Sequence, residues 1–158
     1  MKDQDEKFIK EAIMLSEQNL QLAHGGPFGA IIVQDGNIIA RGWNQVLKLK
    51  DPTAHAEIMA IRNACTELDD YILRGTTIYT SCEPCPMCLA AIHWARIDRI
   101  VYANTRKDAA DIGFDDDFLY IEIAKNVTAR LIPSDQLMQA EARKIFDKWL
   151  KLENKTLY

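Results

Sequence analysis

The chain has 158 residues, 48% of them hydrophobic and 27% charged, which suits one soluble globular domain with a core of its own. Its formal net charge of −4, with no basic run or basic helix face, argues against a polyanionic partner such as nucleic acid. Apolar runs are too short to span a bilayer, and the charged start Met1-Lys2-Asp3-Gln4-Asp5-Glu6 lacks the apolar centre of a signal peptide.

The four cysteines are Cys65, Cys82, Cys85 and Cys88. Three of them cluster, and in a chain expected to be cytoplasmic this favours metal binding or catalysis over disulfides. Residues 4–23 predict an amphipathic helix, with Phe8, Ala12, Leu15 and Leu22 at helical spacing, Ile9 and Ile13 beside them, and Gly25-Gly26-Pro27 as the stop. Ala30 to Val33 is a continuous apolar run, as in a buried strand. Gln34-Asp35-Gly36-Asn37 turns the chain into a second strand from Ile38 to Ala40, giving a hairpin.

After a loop over 45–53, a helix is expected over about 53–68, with Asp51 or Thr53 as cap and Pro52 at its first position. Ala54, Ile58, Ile61, Cys65 and Leu68 form its apolar stripe. Thr76 to Thr80, β-branched and aromatic, is a strand that runs into a short helix over about 86–95. Arg99 to Ala103 is the next strand, and strand–helix–strand implies a parallel pair. Further on, 105–111 and about 117–124 are helical, and about 127–132 is a weak strand. Pro133-Ser134-Asp135 opens a last helix whose inner face is Ala142, Ile145, Phe146 and Trp149. The fold class expected is α/β, three layers α/β/α around a central mixed five-stranded sheet.

The chemistry concentrates in His55-Ala56-Glu57 and Pro84-Cys85-Pro86-Met87-Cys88. Neutral imidazole and thiolate bind Zn²⁺ well, and a catalytic zinc site uses three protein ligands with a fourth position left for water. His55, Cys85 and Cys88 supply the three, which leaves Glu57 as a carboxylate free to move protons. Cys85 and Cys88 are i and i+3, neighbours on one helix face, and Pro86 suits a first helical position. The partial positive charge at such a helix start favours thiolate. Residues two apart do not share a helix face, so His55 and Glu57 both reach a metal only if it lies off the helix end. A closed structural zinc site remains the alternative, because Cys82 extends the spacing to C-x-x-C-x-x-C. Taken together the two stretches reproduce the H-x-E…P-C-x-x-C signature of zinc nucleobase deaminases.

With these motifs the chain resembles the cytidine-deaminase-like superfamily and, within it, the small bacterial zinc-dependent guanine deaminases. Gly25-Gly26-Pro27-Phe28-Gly29-Ala30, Asp51 to Glu57 and Thr80 to Leu89 resemble the superfamily's strand entry and zinc motifs. Gly113-Phe114-Asp115-Asp116 and the terminal Tyr158 resemble elements of the guanine branch. The resemblance implies one Zn²⁺ per subunit on His55, Cys85 and Cys88, with Glu57 as proton shuttle. It implies Asn44 hydrogen-bonding the base, Phe28 against the ring and the Ala56 N–H facing a polar substrate atom. Asp116 would contact the exocyclic amine. It further implies a homodimer that exchanges C-terminal segments (about 151–158), with Tyr158 in the neighbouring subunit's site. Where many relatives carry a tyrosine, this chain has His93. The activity so implied is hydrolysis of guanine, a small purine base, to xanthine and ammonia. The alternatives are deamination of guanosine, of cytosine or cytidine, or of tRNA adenosine, and, outside catalysis, a zinc-stabilised binding module.

Overall fold

A computed structural model describes residues 2–157, divided into a unit of residues 2–118 and a second unit of residues 119–157. The first unit holds the sheet. Strands β1 (Gly29–Gln34), β2 (Asn37–Trp43), β3 (Thr76–Cys82) and β4 (Arg99–Asn104) lie in the order β2-β1-β3-β4. The expected hairpin is present as antiparallel β1 and β2. β1 is also antiparallel to β3, while β3 and β4 run parallel, so the sheet is mixed.

Period-two alternation sends neighbouring residues of each strand to opposite faces. Ile31, Val33 and Tyr79 pack with Phe8 and Leu15 of helix α1 (Lys2–Leu22). Ala30, Ile32 and Ile78 pack on the other face with Ala56, Ala60 and Ala64 of α3 (Ala56–Leu68) and Ile92 of α4 (Pro86–Trp94). The three layers are therefore those expected. The deepest line of α3 is not the stripe of larger residues but Ala56, Ala60 and Ala64. Small residues let the helix axis approach the sheet: a Cβ on Gly42 of β2 would lie 2.3 Å from the Ala56 carbonyl oxygen. On α1 the buried positions are Phe8, Ala12, Leu15 and Asn19, whereas Leu22 and Ile13 are exposed.

α3 also begins later than expected. The Asp51 carboxylate accepts from the Thr53 N–H (2.8 Å) and hydroxyl (2.7 Å), forming a local turn rather than a cap. The N-cap is His55 itself, extended at φ −68° and ψ 159°. Between β2 and α3 lies the single turn α2 (Val46–Leu49). After β4 come α5 (Arg106–Asp111), capped by a reciprocal pair between Thr105 and Asp108, and α6 (Asp117–Ala124).

The sheet has four strands, not five. The stretch expected as a fifth strand contains instead a 3₁₀ turn, Val127–Ala129. The Asn126 side chain accepts from the Thr128 N–H (3.2 Å), and Glu122 accepts from the Leu131 N–H (2.7 Å). Local side-chain bonds of this kind outcompete weak strand propensity. The last helix, α7, spans Gln139–Leu150 and starts after Met138, later than expected; the Ser134 hydroxyl bonds the Ile132 carbonyl (3.3 Å) and caps no helix. Its expected inner face is exposed: Ile145 is 59% and Phe146 69% accessible. Among the described residues no helix is long and apolar enough to cross a membrane.

Candidate metal centre and its cavity

Two helix N-termini converge on the centre. His55 caps α3 and Cys85 caps α4, both extended and neither using its side chain as a cap. Pro86 occupies the start of α4 and Cys88 lies one turn in, as the i, i+3 spacing demands. The side chains thus leave the helix ends rather than their flanks.

His55 Nδ1 is 3.6 Å from Cys85 Sγ and 3.6 Å from Cys88 Sγ. Zn–N and Zn–S bonds of usual length at a tetrahedral angle separate nitrogen and sulfur by about 3.6 Å. The three ligand atoms lie within 4.8 Å of one another, the one such group among the described residues able to hold a metal ion. The donors therefore fit zinc by chemistry and by spacing. Hydrogen bonds from Cys88 and then His55 draw the Cys85 thiol down to about 4 against the opposing effect of burial. The Cys88 thiol is pushed up, first by its hydrogen bond with Cys85 and then by burial. His55 is raised, mainly by its bond to Cys85. A divalent cation replaces the protons that this trio otherwise shares.

Glu57, 6% accessible, lies beside the ligands without joining them. Its carboxylate is 3.4 Å from Cys88 Sγ and 3.5 Å from the Thr80 hydroxyl, which lies closer to the Cys82 carbonyl at 3.0 Å. Burial pushes its proton affinity above that of an ordinary glutamate. A purely structural metal site gives no reason to bury a second acid there.

The group opens into a cavity of about 740 Å³, a usual volume for a small-molecule site. Phe28, Asn44, His55, Glu57, Cys85 and Asp116 all line it. Asn44, 5% accessible, uses Oδ1 to accept from the Val46 N–H (3.2 Å), so the group left for a ligand is its Nδ2 donor. Asp116 has a buried Oδ1 without a hydrogen-bond partner, and its carboxyl is raised by desolvation and then by the charge of Cys85. Ala56 is fully buried in the core and does not line the cavity, although its N–H belongs to the unpaired first turn of α3. Exposed His93 is not among the lining residues. Tyr158 lies outside the described residues.

Sequence reasoning passed over three neighbours. Phe114 meets Phe28 edge-to-face at 5.0 Å between ring centroids. Glu83 lines the cavity while its carboxylate accepts from the Arg106 N–H (3.0 Å). Thr80, two residues before Cys82 on one strand, lies beside Glu57. Strand alternation places Thr80 and Cys82 on the same face, which was the available signal. Cys82 itself lies at the strand end with its thiol 3.5 Å from the Thr105 carbonyl and burial holding it up at about 11.

Comparison with known proteins agrees with this geometry. Residues 2–104 match the family described as the cytidine and deoxycytidylate deaminase zinc-binding region, and the chain belongs to that family of zinc-dependent deaminases. It is 50% identical to the guanine deaminase of Bacillus subtilis (strain 168), over 97% of this chain and 98% of that protein. The X-ray structure of guanine deaminase from Bacillus subtilis superposes with a TM-score of 0.94 over 97% of this chain and 98% of the other, again at 50% identity. Guanine deaminase from Nitrosomonas europaea is 34% identical with a TM-score of 0.65, covering 69% of this chain and 63% of that one. The tRNA-specific adenosine deaminase of Haemophilus influenzae is 41% identical over 69% of this chain and 63% of its own length.

Proposed function

We propose that the protein hydrolyses guanine to xanthine and ammonia. The observation that carries this is a pair of acids in one cavity: buried Glu57 against the His55, Cys85 and Cys88 group, and Asp116 with an unpartnered Oδ1. Full-length similarity to a guanine deaminase supports the choice of base.

His55 Nδ1, Cys85 Sγ and Cys88 Sγ are the zinc ligands. Zinc held there supplies the Lewis acidity that brings a water's proton loss into the neutral range. Glu57 accepts the water's proton and passes it to a ring nitrogen as the oxygen adds to the amino-bearing carbon. Glu57 then takes the proton of the added hydroxyl and delivers it, directly or through Asp116, to the amino group, which leaves as ammonia as the carbonyl forms. A glutamate with raised proton affinity is matched to both directions of transfer near neutral pH. Asn44 Nδ2 donates to an acceptor on the base, and Phe28 and Phe114 contact the ring.

The working unit is a homodimer in the cytoplasm. The segment of about 151–158 passes to the neighbouring subunit and carries Tyr158 to its site. The exposed apolar side chains Ile145, Phe146 and Leu150 in the second unit support this reading, since such a face calls for a partner. Removing residues 151–158 is expected to leave zinc bound and to remove turnover. The test of substrate is ammonia release by zinc-loaded protein from guanine, guanosine, cytosine, cytidine and adenine, with xanthine identified as product. Release confined to guanine is expected. Release from a pyrimidine or a nucleoside instead would overturn the base assignment, and zinc-loaded protein inert to all five would overturn the activity.

A further inference from the structure

Asn19 is a polar residue where the pattern calls for an apolar one. It continues the buried line of α1 after Phe8, Ala12 and Leu15, and is 0% accessible. Burying an amide is costly unless it is bonded, so its place in the last turn needs a reason. Its Nδ2 donates to two carbonyl oxygens, Gly26 at 2.7 Å and Asn44 at 2.9 Å. Two acceptors on one atom fix which end of the amide is the donor.

Those carbonyls belong to two separate cavity-lining segments. The Phe28 N–H donates to the same Gly26 carbonyl (2.9 Å), and the Asn44 N–H donates to the Phe28 carbonyl (3.1 Å). Asn19, Gly26, Phe28 and Asn44 therefore close a ring of hydrogen bonds. The side chain of Asn44 is wedged by the same construction: a Cβ on Gly25 would lie 2.0 Å from Asn44 Oδ1. Any side chain at position 25 would displace the Asn44 amide from its rotamer.

We propose that Asn19 is a positioning residue for base recognition, acting from behind the cavity by holding the Asn44 backbone against the Gly26–Phe28 segment. It rests on the reading of Asn44 as the base-facing donor. It touches no substrate and takes no part in proton transfer. An interaction made in ground and transition state alike appears in KM.

The test substitutes Asn19→Ser, whose hydroxyl retains one donor, and Asn19→Ala, each in the wild-type and Asn44→Ala backgrounds. KM for guanine should rise roughly tenfold with kcat within about twofold in the wild-type background. In Asn44→Ala the same substitutions should change KM less than about twofold, the non-additivity of residues acting through one contact. Equal factors in both backgrounds, or a fall in kcat alone, would overturn the proposal. Amide hydrogen exchange provides an arm independent of substrate. Exchange at Phe28, Asn44 and Val46 should quicken in Asn19→Ser with the Ile31 and Ile32 amides unchanged, and unaltered exchange at the three would overturn it. Wild-type protein inert toward guanine would instead count against the proposed function, with the exchange arm still deciding the role of Asn19.

Discussion

The metal centre and the remaining wall of the same cavity are built in different ways. The centre draws its three ligands from two short motifs, each at the mouth of a helix, so local spacing alone nearly fixes its geometry. The wall draws Phe28 from before β1, Asn44 from after β2, and Phe114 and Asp116 from the loop before α6. It exists only because the sheet and α1 bring these loops together. Reactivity is thus written locally, and selection is written in the packing.

Substitutions should separate the two regions, most severely at the centre. Cys85→Ser is expected to lose both zinc, measured by metal analysis, and all turnover. Glu57→Gln should keep full zinc and lose roughly 10²–10⁴-fold in kcat, the range for positioned proton transfer; substantial residual turnover would remove Glu57 from its role. Asp116→Asn should retain zinc and cost on the order of 10²-fold in kcat. Asn44→Ala belongs to the wall alone: about tenfold in KM, the value of one hydrogen bond to a buried ligand, with zinc unchanged.

The smallest effect tests the scaffold beneath both. Hydrogen bonds from Arg99 (2.8 Å) and Tyr79 (2.7 Å) hold the Asp5 carboxyl at about 2 against 3.8. A depressed carboxyl adds stability above its unfolded value, and that stability is lost as pH falls through the folded one. Thermal unfolding of the wild type should therefore weaken between pH 3.8 and about pH 2. Asp5→Asn should flatten that part of the profile while leaving guanine turnover at neutral pH unchanged.

The same contrast governs what could be read from the sequence. The start of α4 at Pro86, the hairpin, the parallel β3–β4 pair and the metal trio follow from spacing and side-chain chemistry, whereas α3 and α7 start later than their Pro and cap signals imply. Asn19 did not announce itself, because its value lies in carbonyls of distant segments. Phe114 was visible inside Gly113-Phe114-Asp115-Asp116, but only packing against Phe28 gives it a role. In residues 119–157 propensity misled. Val127, Thr128, Leu131 and Ile132 favour a strand, yet Asn126 and Glu122 bind the backbone locally. The stripe of α7 has helical spacing without burial, since periodicity reports an apolar face and not what covers it.

One measurement bears most directly on the division between centre and wall: kcat and KM for guanine, with zinc content determined on the same sample, in wild type, Glu57→Gln and Asn44→Ala. The account predicts full zinc in all three, kcat collapsing in Glu57→Gln and KM rising in Asn44→Ala. Zinc lost from either variant, or Asn44→Ala lowering kcat with KM intact, would contradict it.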